Sequence, residues 1–88
     1  MAYDVQLTGP ARRALQSIPP RIVAPIVEFT FGDLAREPRR VGKPLERELT
    51  GLFSARRGPY GVLYRIDEEA QRVYVIHIDH RSDVYRRR

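Results

Sequence analysis

The sequence predicts an α+β fold, in which an N-terminal strand and an antiparallel two-helix hairpin pack on one face of a curved antiparallel β-sheet. Three observations predict it. Residues 2–7 alternate apolar and polar side chains as a strand does, and residues 10–36 space them as helices do, interrupted by Pro19-Pro20. Residues 52–79 return to strand patterning, cut by two turn signals.

Each element has its own reason. In the first strand Tyr3, Val5 and Leu7 alternate with Asp4 and Gln6, so one face should be buried. Thr8 can cap the following helix and Pro10 suits its first turn, while Ala11, Ala14, Leu15 and Ile18 make its apolar stripe. Pro19-Pro20 ends that helix. A second helix is predicted from about Arg21 to Arg36, burying Ile22, Val23, Ile26, Val27, Thr30, Phe31 and Leu34. Pro25 falls near its start, where a missing backbone donor costs little. Residues Glu37 to Pro44 combine two prolines, a glycine and three basic side chains and read as a loop. The pattern of Leu45 to Thr50 selects no conformation. Strands are predicted over Leu52 to Arg57, Tyr60 to Ile66 and Arg72 to Asp79, with turns at Gly58-Pro59 and Asp67 to Gln71. The tail from His80 can form one or two turns of helix, too short to be stable alone.

Composition sets the class. A chain of 88 residues should be one domain, residues 1–88, with a thin core. It has no cysteine and only two histidines, which argues against a disulfide framework or a structural zinc site. Neither a signal peptide nor a membrane span is legible, so a soluble, cytoplasmic protein is expected. The net charge of +5 favours a polyanionic partner or an acidic protein. Lys43 is the only lysine among 16 basic residues, and guanidinium groups can grip phosphate in two places or stack on a base.

Strand alternation then divides the sheet. Tyr60, Val62, Tyr64 and Ile66 share one face, the better core candidate, and Gly61, Leu63 and Arg65 share the other. Ser54 and Arg56 point one way, and Phe53, Ala55 and Arg57 the opposite way. His77 reads as a strand residue without chemistry, and Tyr60 and Tyr64 as core.

Four segments carry a resemblance: VGKPL at Val41 to Leu45, LTGLFSARRGPY at Leu49 to Tyr60, VLYRID at Val62 to Asp67, and HRSDVYR at His80 to Arg86. In their order and spacing the chain resembles the RelE/ParE-superfamily toxins of type II toxin–antitoxin systems, and the RelE branch most closely. The resemblance implies a microbial RNase-type fold and a ribosome-dependent endoribonuclease that cuts mRNA in the ribosomal A site and is neutralised by a cognate antitoxin. The partners it implies are that antitoxin and the ribosome with its mRNA, with no membrane and no cofactor.

By the same resemblance, the catalytic candidates are Arg56 on the first strand of the meander, His80 and Arg81 after the last strand, and Tyr85 in the tail. Arg57, Arg65, Lys43 and Arg86 are candidates for RNA contact. The chemistry such a site needs is a base for the attacking 2′-hydroxyl, cations for the phosphoryl oxygens and an acid for the leaving 5′-oxygen. His80 suits proton transfer because an unperturbed imidazole titrates near pH 6.5. One departure stands out: where the family places an arginine after the tyrosine that opens the middle strand, this chain has Gly61, and Ser54 replaces a basic residue of some relatives. Loss of that phosphate contact predicts reduced activity. The alternative class is a toxin-fold protein without nuclease activity: a ParE-like gyrase inhibitor, or a catalytically dead binder of antitoxin and ribosome.

Overall fold

In the computed structural model, which describes residues 2–80, the order is β1 (Asp4–Leu7), α1 (Gly9–Ser17), α2 (Pro20–Phe31), α3 (Asp33–Arg36), α4 (Pro38–Val41), β2 (Lys43–Pro44), a 3-10 turn (Arg47–Leu49), β3 (Phe53–Arg57), β4 (Tyr60–Asp67) and β5 (Arg72–His80). The five strands form one sheet in the order β1-β5-β4-β3-β2. The α+β class holds, and the helices lie against one face, with α1 on β5 and α2 reaching β3. The sheet is mixed, because β1 pairs parallel with β5 while the other pairs are antiparallel. A helical crossover between β1 and the rest of the sheet permits parallel pairing, which a tight hairpin cannot.

Helix starts follow their signals. The Thr8 hydroxyl accepts from the Ala11 backbone at 3.3 Å and donates to the Ile76 carbonyl at 2.8 Å, so a single side chain caps α1 and ties it to β5. Two segments differ from expectation. The second helix stops at Phe31 and resumes as α3 after Gly32, where a Cβ would come within 2.6 Å of the Glu28 carbonyl oxygen. The expected loop over Glu37 to Pro44 holds the short helix α4 and the two-residue strand β2. Pro38 can open a helical turn because its missing N–H would be unpaired there anyway. The expected tail helix lies outside the described residues.

The core centres on Val62, Tyr64, Val73, Val75 and Ile78 of the sheet and Ala11, Ile26 and Leu34 of the helices, each almost completely buried. Tyr64 is the largest of these. Its ring stacks on Phe53 at 5.6 Å, and its hydroxyl donates to the Pro38 carbonyl at 2.5 Å. It thereby anchors α4 to the sheet.

A second anchor is ionic. Glu68, after β4, accepts from the Tyr3 hydroxyl at 2.7 Å and from Arg39 Nε at 2.6 Å, joining the N-terminus, α4 and the β4-β5 turn. The hydrogen bonds from Tyr3 and then Arg39 hold the Glu68 carboxyl below its ordinary value, and the same bond to Glu68 raises the Tyr3 phenol. The lowered carboxyl stabilises the fold above its unfolded pKa of 4.5 and ceases to do so as pH falls through the folded value. The raised phenol acts below pH 10 and is lost as pH rises. Thermal melts of Glu68→Gln should therefore lose part of the wild-type decline between pH 5 and pH 3. Identical acid profiles would show that this exposed cluster contributes nothing.

Candidate functional site

Cross-strand partners point to the same side of a sheet, so register decides which side chains can meet. Four rows face the helices: Val5–Val73–Ile66, Phe53–Tyr64–Val75, Ala55–Val62–Ile78 and Arg57–Tyr60–His80. Four others face away: Asp4–Arg72–Asp67, Gln6–Tyr74–Arg65, Lys43–Ser54–Leu63–His77 and Arg56–Gly61–Asp79. A β-bulge sets this arrangement. Leu63 opposes His77 while Tyr64 opposes Val75, which leaves Ile76 as an extra residue on β5. The bulge turns His77 and Asp79 outward and Ile78 inward, where Ile78 is 1% exposed.

The sequence candidates separate accordingly. Arg56 is exposed on the open face and Lys43 is exposed in the neighbouring row. Neither has an ion-pair partner among the described residues. Arg65 shares this face but is engaged, its guanidinium 4.4 Å from the centre of the Tyr74 ring, and Arg72 in turn meets the Tyr74 hydroxyl at 3.4 Å and Asp4 at 3.5 Å. Arg57 lies on the helix side, 6.0 Å from the Phe29 ring. His80 is also on the helix side, edge-on to Tyr60 at 5.8 Å. The sheet thus stands between Arg56 and His80, two of the catalytic candidates. Arg81, Tyr85 and Arg86 lie outside the described residues. Ser54 is buried between Lys43 and Leu63.

His77, read from the sequence as a strand residue without chemistry, and Asp79 lie on the Arg56 face. His77 Nε2 lies 3.2 Å from Asp79 Oδ2, with both side chains 42% exposed. Gly61 lies between Arg56 and Asp79 in its row and contributes no side chain, so their backbones are about 10 Å apart, two strand spacings. The signal was available in the His-Ile-Asp triplet, since residues i and i+2 of a strand share a face. Beside these residues, where β1 pairing has ended at Val75, a groove of about 470 Å³ runs between α1 and β5, lined in part by Arg13, Ser17, His77, Asp79 and His80. Among the described residues no three His, Asp or Glu side chains converge as a metal site requires. No helix among them is long and apolar enough to cross a membrane. The face offers cations, an imidazole and a carboxylate to an anionic strand.

Residues 5–85 match the family described as the ParE toxin of type II toxin-antitoxin system, parDE. The chain is 62% identical to Toxin RelG of Mycobacterium tuberculosis (strain ATCC 25618 / H37Rv) over 87 residues, covering 99% of this chain and all of the relative. It is 52% identical to Toxin RelE of the same organism over 84 residues, covering 96% of this chain and 87% of that protein. The toxin chain in the crystal structure of the toxin–antitoxin complex RelBE2 from Mycobacterium tuberculosis superposes with a TM-score of 0.89 at 60% identity, covering 94% of this chain and 95% of that one. With a whole-chain family match, two toxins above half identity and a shared fold, the chain belongs to the RelE/ParE superfamily of type II toxin–antitoxin toxins, on its RelE branch.

Proposed function

We propose that this chain is a ribosome-dependent endoribonuclease that cleaves mRNA in the ribosomal A site and thereby stops translation in the cytoplasm. The observation that carries this reading is the exposed pair of cations, Arg56 and Lys43, on the sheet face opposite the helices, neither ion-paired among the described residues. Guanidinium and ammonium groups on a rigid strand are pre-organised for phosphoryl oxygens, and RNA brings its own nucleophile in the 2′-hydroxyl. By family resemblance Arg81 and Tyr85 add charge and proton transfer. Gly61 omits one guanidinium, so the enzyme works below the rate its relatives' residue pattern permits. A cognate antitoxin holds it in check: a relative at 60% identity is found in a toxin–antitoxin complex, and a net charge of +5 suits an acidic, amphipathic partner segment.

The test is induction in cells followed by primer extension on a reporter mRNA, with purified ribosomes as the defined counterpart. Cuts confined to ribosome-bound codons, abolished by co-expressed antitoxin, are expected. Arg56→Ala should lower the cleavage rate about 100-fold, with stability changed by less than about 0.5 kcal/mol because the side chain is exposed. An unchanged rate would remove Arg56 from the site. A second reading has its own support, since the matching family is described by the ParE toxin. Replication arrest with intact mRNA on induction would favour gyrase as the target.

A further inference from the structure

We propose that His77, oriented by Asp79, is the proton acceptor for the attacking 2′-hydroxyl of the RNA strand. The inference rests on the endoribonuclease reading above and assigns a role that the family resemblance does not supply. Three observations carry it. The pair is outward-facing on the same side of the sheet as Arg56, because of the bulge at Ile76. Both side chains are accessible, each 42% exposed. They are also in contact, with Nε2 of His77 at 3.2 Å from Asp79 Oδ2.

That contact fixes the useful tautomer. An ionised carboxylate can only accept, so the neutral imidazole carries its hydrogen on Nε2, donates it to Asp79 Oδ2, and leaves the Nδ1 lone pair free. The charged and titratable groups around His77 are Asp79 on its own strand, Arg65 of β4 beside Leu63, Arg56 of β3 and Lys43 of β2 on the same face, Arg13 of α1 across the groove, and His80 farther along β5 on the helix side. On that face Arg56 stands two strands and Lys43 three strands from His77. In the step, Nδ1 takes the 2′-hydroxyl proton as the 2′-oxygen bonds to phosphorus. The bond from phosphorus to the 5′-oxygen breaks, and the leaving alkoxide takes a proton from water. The resulting hydroxide takes the proton held by the imidazolium, restoring neutral His77. The products are a 2′,3′-cyclic phosphate and a 5′-hydroxyl. Asp79 touches no substrate and is a positioning residue.

The experiment compares wild type, His77→Gln and Asp79→Asn in single-turnover cleavage of ribosome-bound mRNA from pH 5 to 9, together with ¹⁵N NMR of the imidazole in the free protein. Wild type should show an acid limb. His77→Gln should cut about 100-fold more slowly without that limb, and Asp79→Asn should retain a displaced limb at a smaller loss. The NMR should show the Nε2–H tautomer in wild type and a mixture in Asp79→Asn. Wild-type cleavage matched by His77→Gln, or an Nδ1–H tautomer in wild type, overturns the assignment while leaving the nuclease reading standing. Wild type that cuts no ribosome-bound mRNA overturns both. A circular-dichroism melt of each variant separates loss of chemistry from loss of fold.

Discussion

Gly42→Ala should destabilise the protein by about 3 kcal/mol, lowering its melting temperature by roughly 15 °C. The backbone at Gly42 is ordinary extended chain, with φ −123° and ψ 176°, so conformational freedom is not the reason. The reason is space. A Cβ there would run into the Tyr64 hydroxyl and come within 2.9 Å of its Cζ and 3.0 Å of the Ser54 carbonyl oxygen. Tyr64 cannot yield freely, because its ring is stacked on Phe53 and its hydroxyl is spent on Pro38. Overpacking of this kind costs about 1–3 kcal/mol, and a displaced hydroxyl adds the loss of a buried hydrogen bond, about 1 kcal/mol. A double-mutant cycle checks the cause. Tyr64→Phe removes the obstructing oxygen, so Gly42→Ala should cost about 1 kcal/mol less in the Phe background. Strictly additive effects would place the damage elsewhere. Alkaline melts provide an independent readout. Burial raises the Tyr64 phenol well above its usual range, so the folded state resists its ionisation; that stability is complete below pH 10 and disappears as pH rises further. Tyr64→Phe should lose that part of the alkaline transition.

The glycine at 42 sits in one of the segments that carried the family resemblance, yet its necessity was not legible there. Alternation along β4 correctly assigned Tyr64 to the core face, since side-chain direction depends only on local period. How far its ring reaches depends on where α4 lies, which is a matter of tertiary packing. The same division explains the candidate site. The direction of Arg56 was legible because β3 and β4 alternate without interruption from Phe53 to Arg57 and from Tyr60 to Asp67. The directions of His77, Asp79 and His80 were not, because the bulge at Ile76 reverses the phase of β5 midway. Uninterrupted alternation from Val73 and Val75 would have pushed His77 and Asp79 into the core and His80 outward. The clue was chemical: a core phase passing through a histidine and an aspartate is untenable, whereas one that jumps from Val75 to Ile78 is apolar throughout. Bulges gather beside functional sites because they re-aim side chains without dissolving the ladder. The parallel β1–β5 pair was likewise beyond local pattern, since pairing direction is set by the crossover and not by periodicity.

Gly61→Arg should raise the rate of mRNA cleavage, by as much as about 100-fold, if a missing phosphate contact is what limits this chain. The position lies directly opposite Arg56 on β3 and Asp79 on β5, so a guanidinium there enters the middle of the open-face row. Two effects compete for it. A pre-organised contact to a phosphoryl oxygen contributes on the order of 3 kcal/mol in the transition state. Capture by Asp79 would hold it back, but an ion pair at a half-exposed carboxylate contributes only about 0–1 kcal/mol and is screened by salt. The phosphate should therefore win, most clearly at high ionic strength, where the competing pair weakens first. Gly61 is buried in the central strand, so the cost of about 0.5–1 kcal/mol that a glycine inside a strand carries relative to alanine is set against the packing of the added side chain. The measurement is single-turnover cleavage of ribosome-bound mRNA by both proteins at low and high salt, with a thermal melt of each. A faster variant of equal or greater stability supports a site short of one cation. Equal rates at both salt concentrations would show that Arg56, Lys43 and the tail already supply the charge, and that Gly61 does not weaken the enzyme.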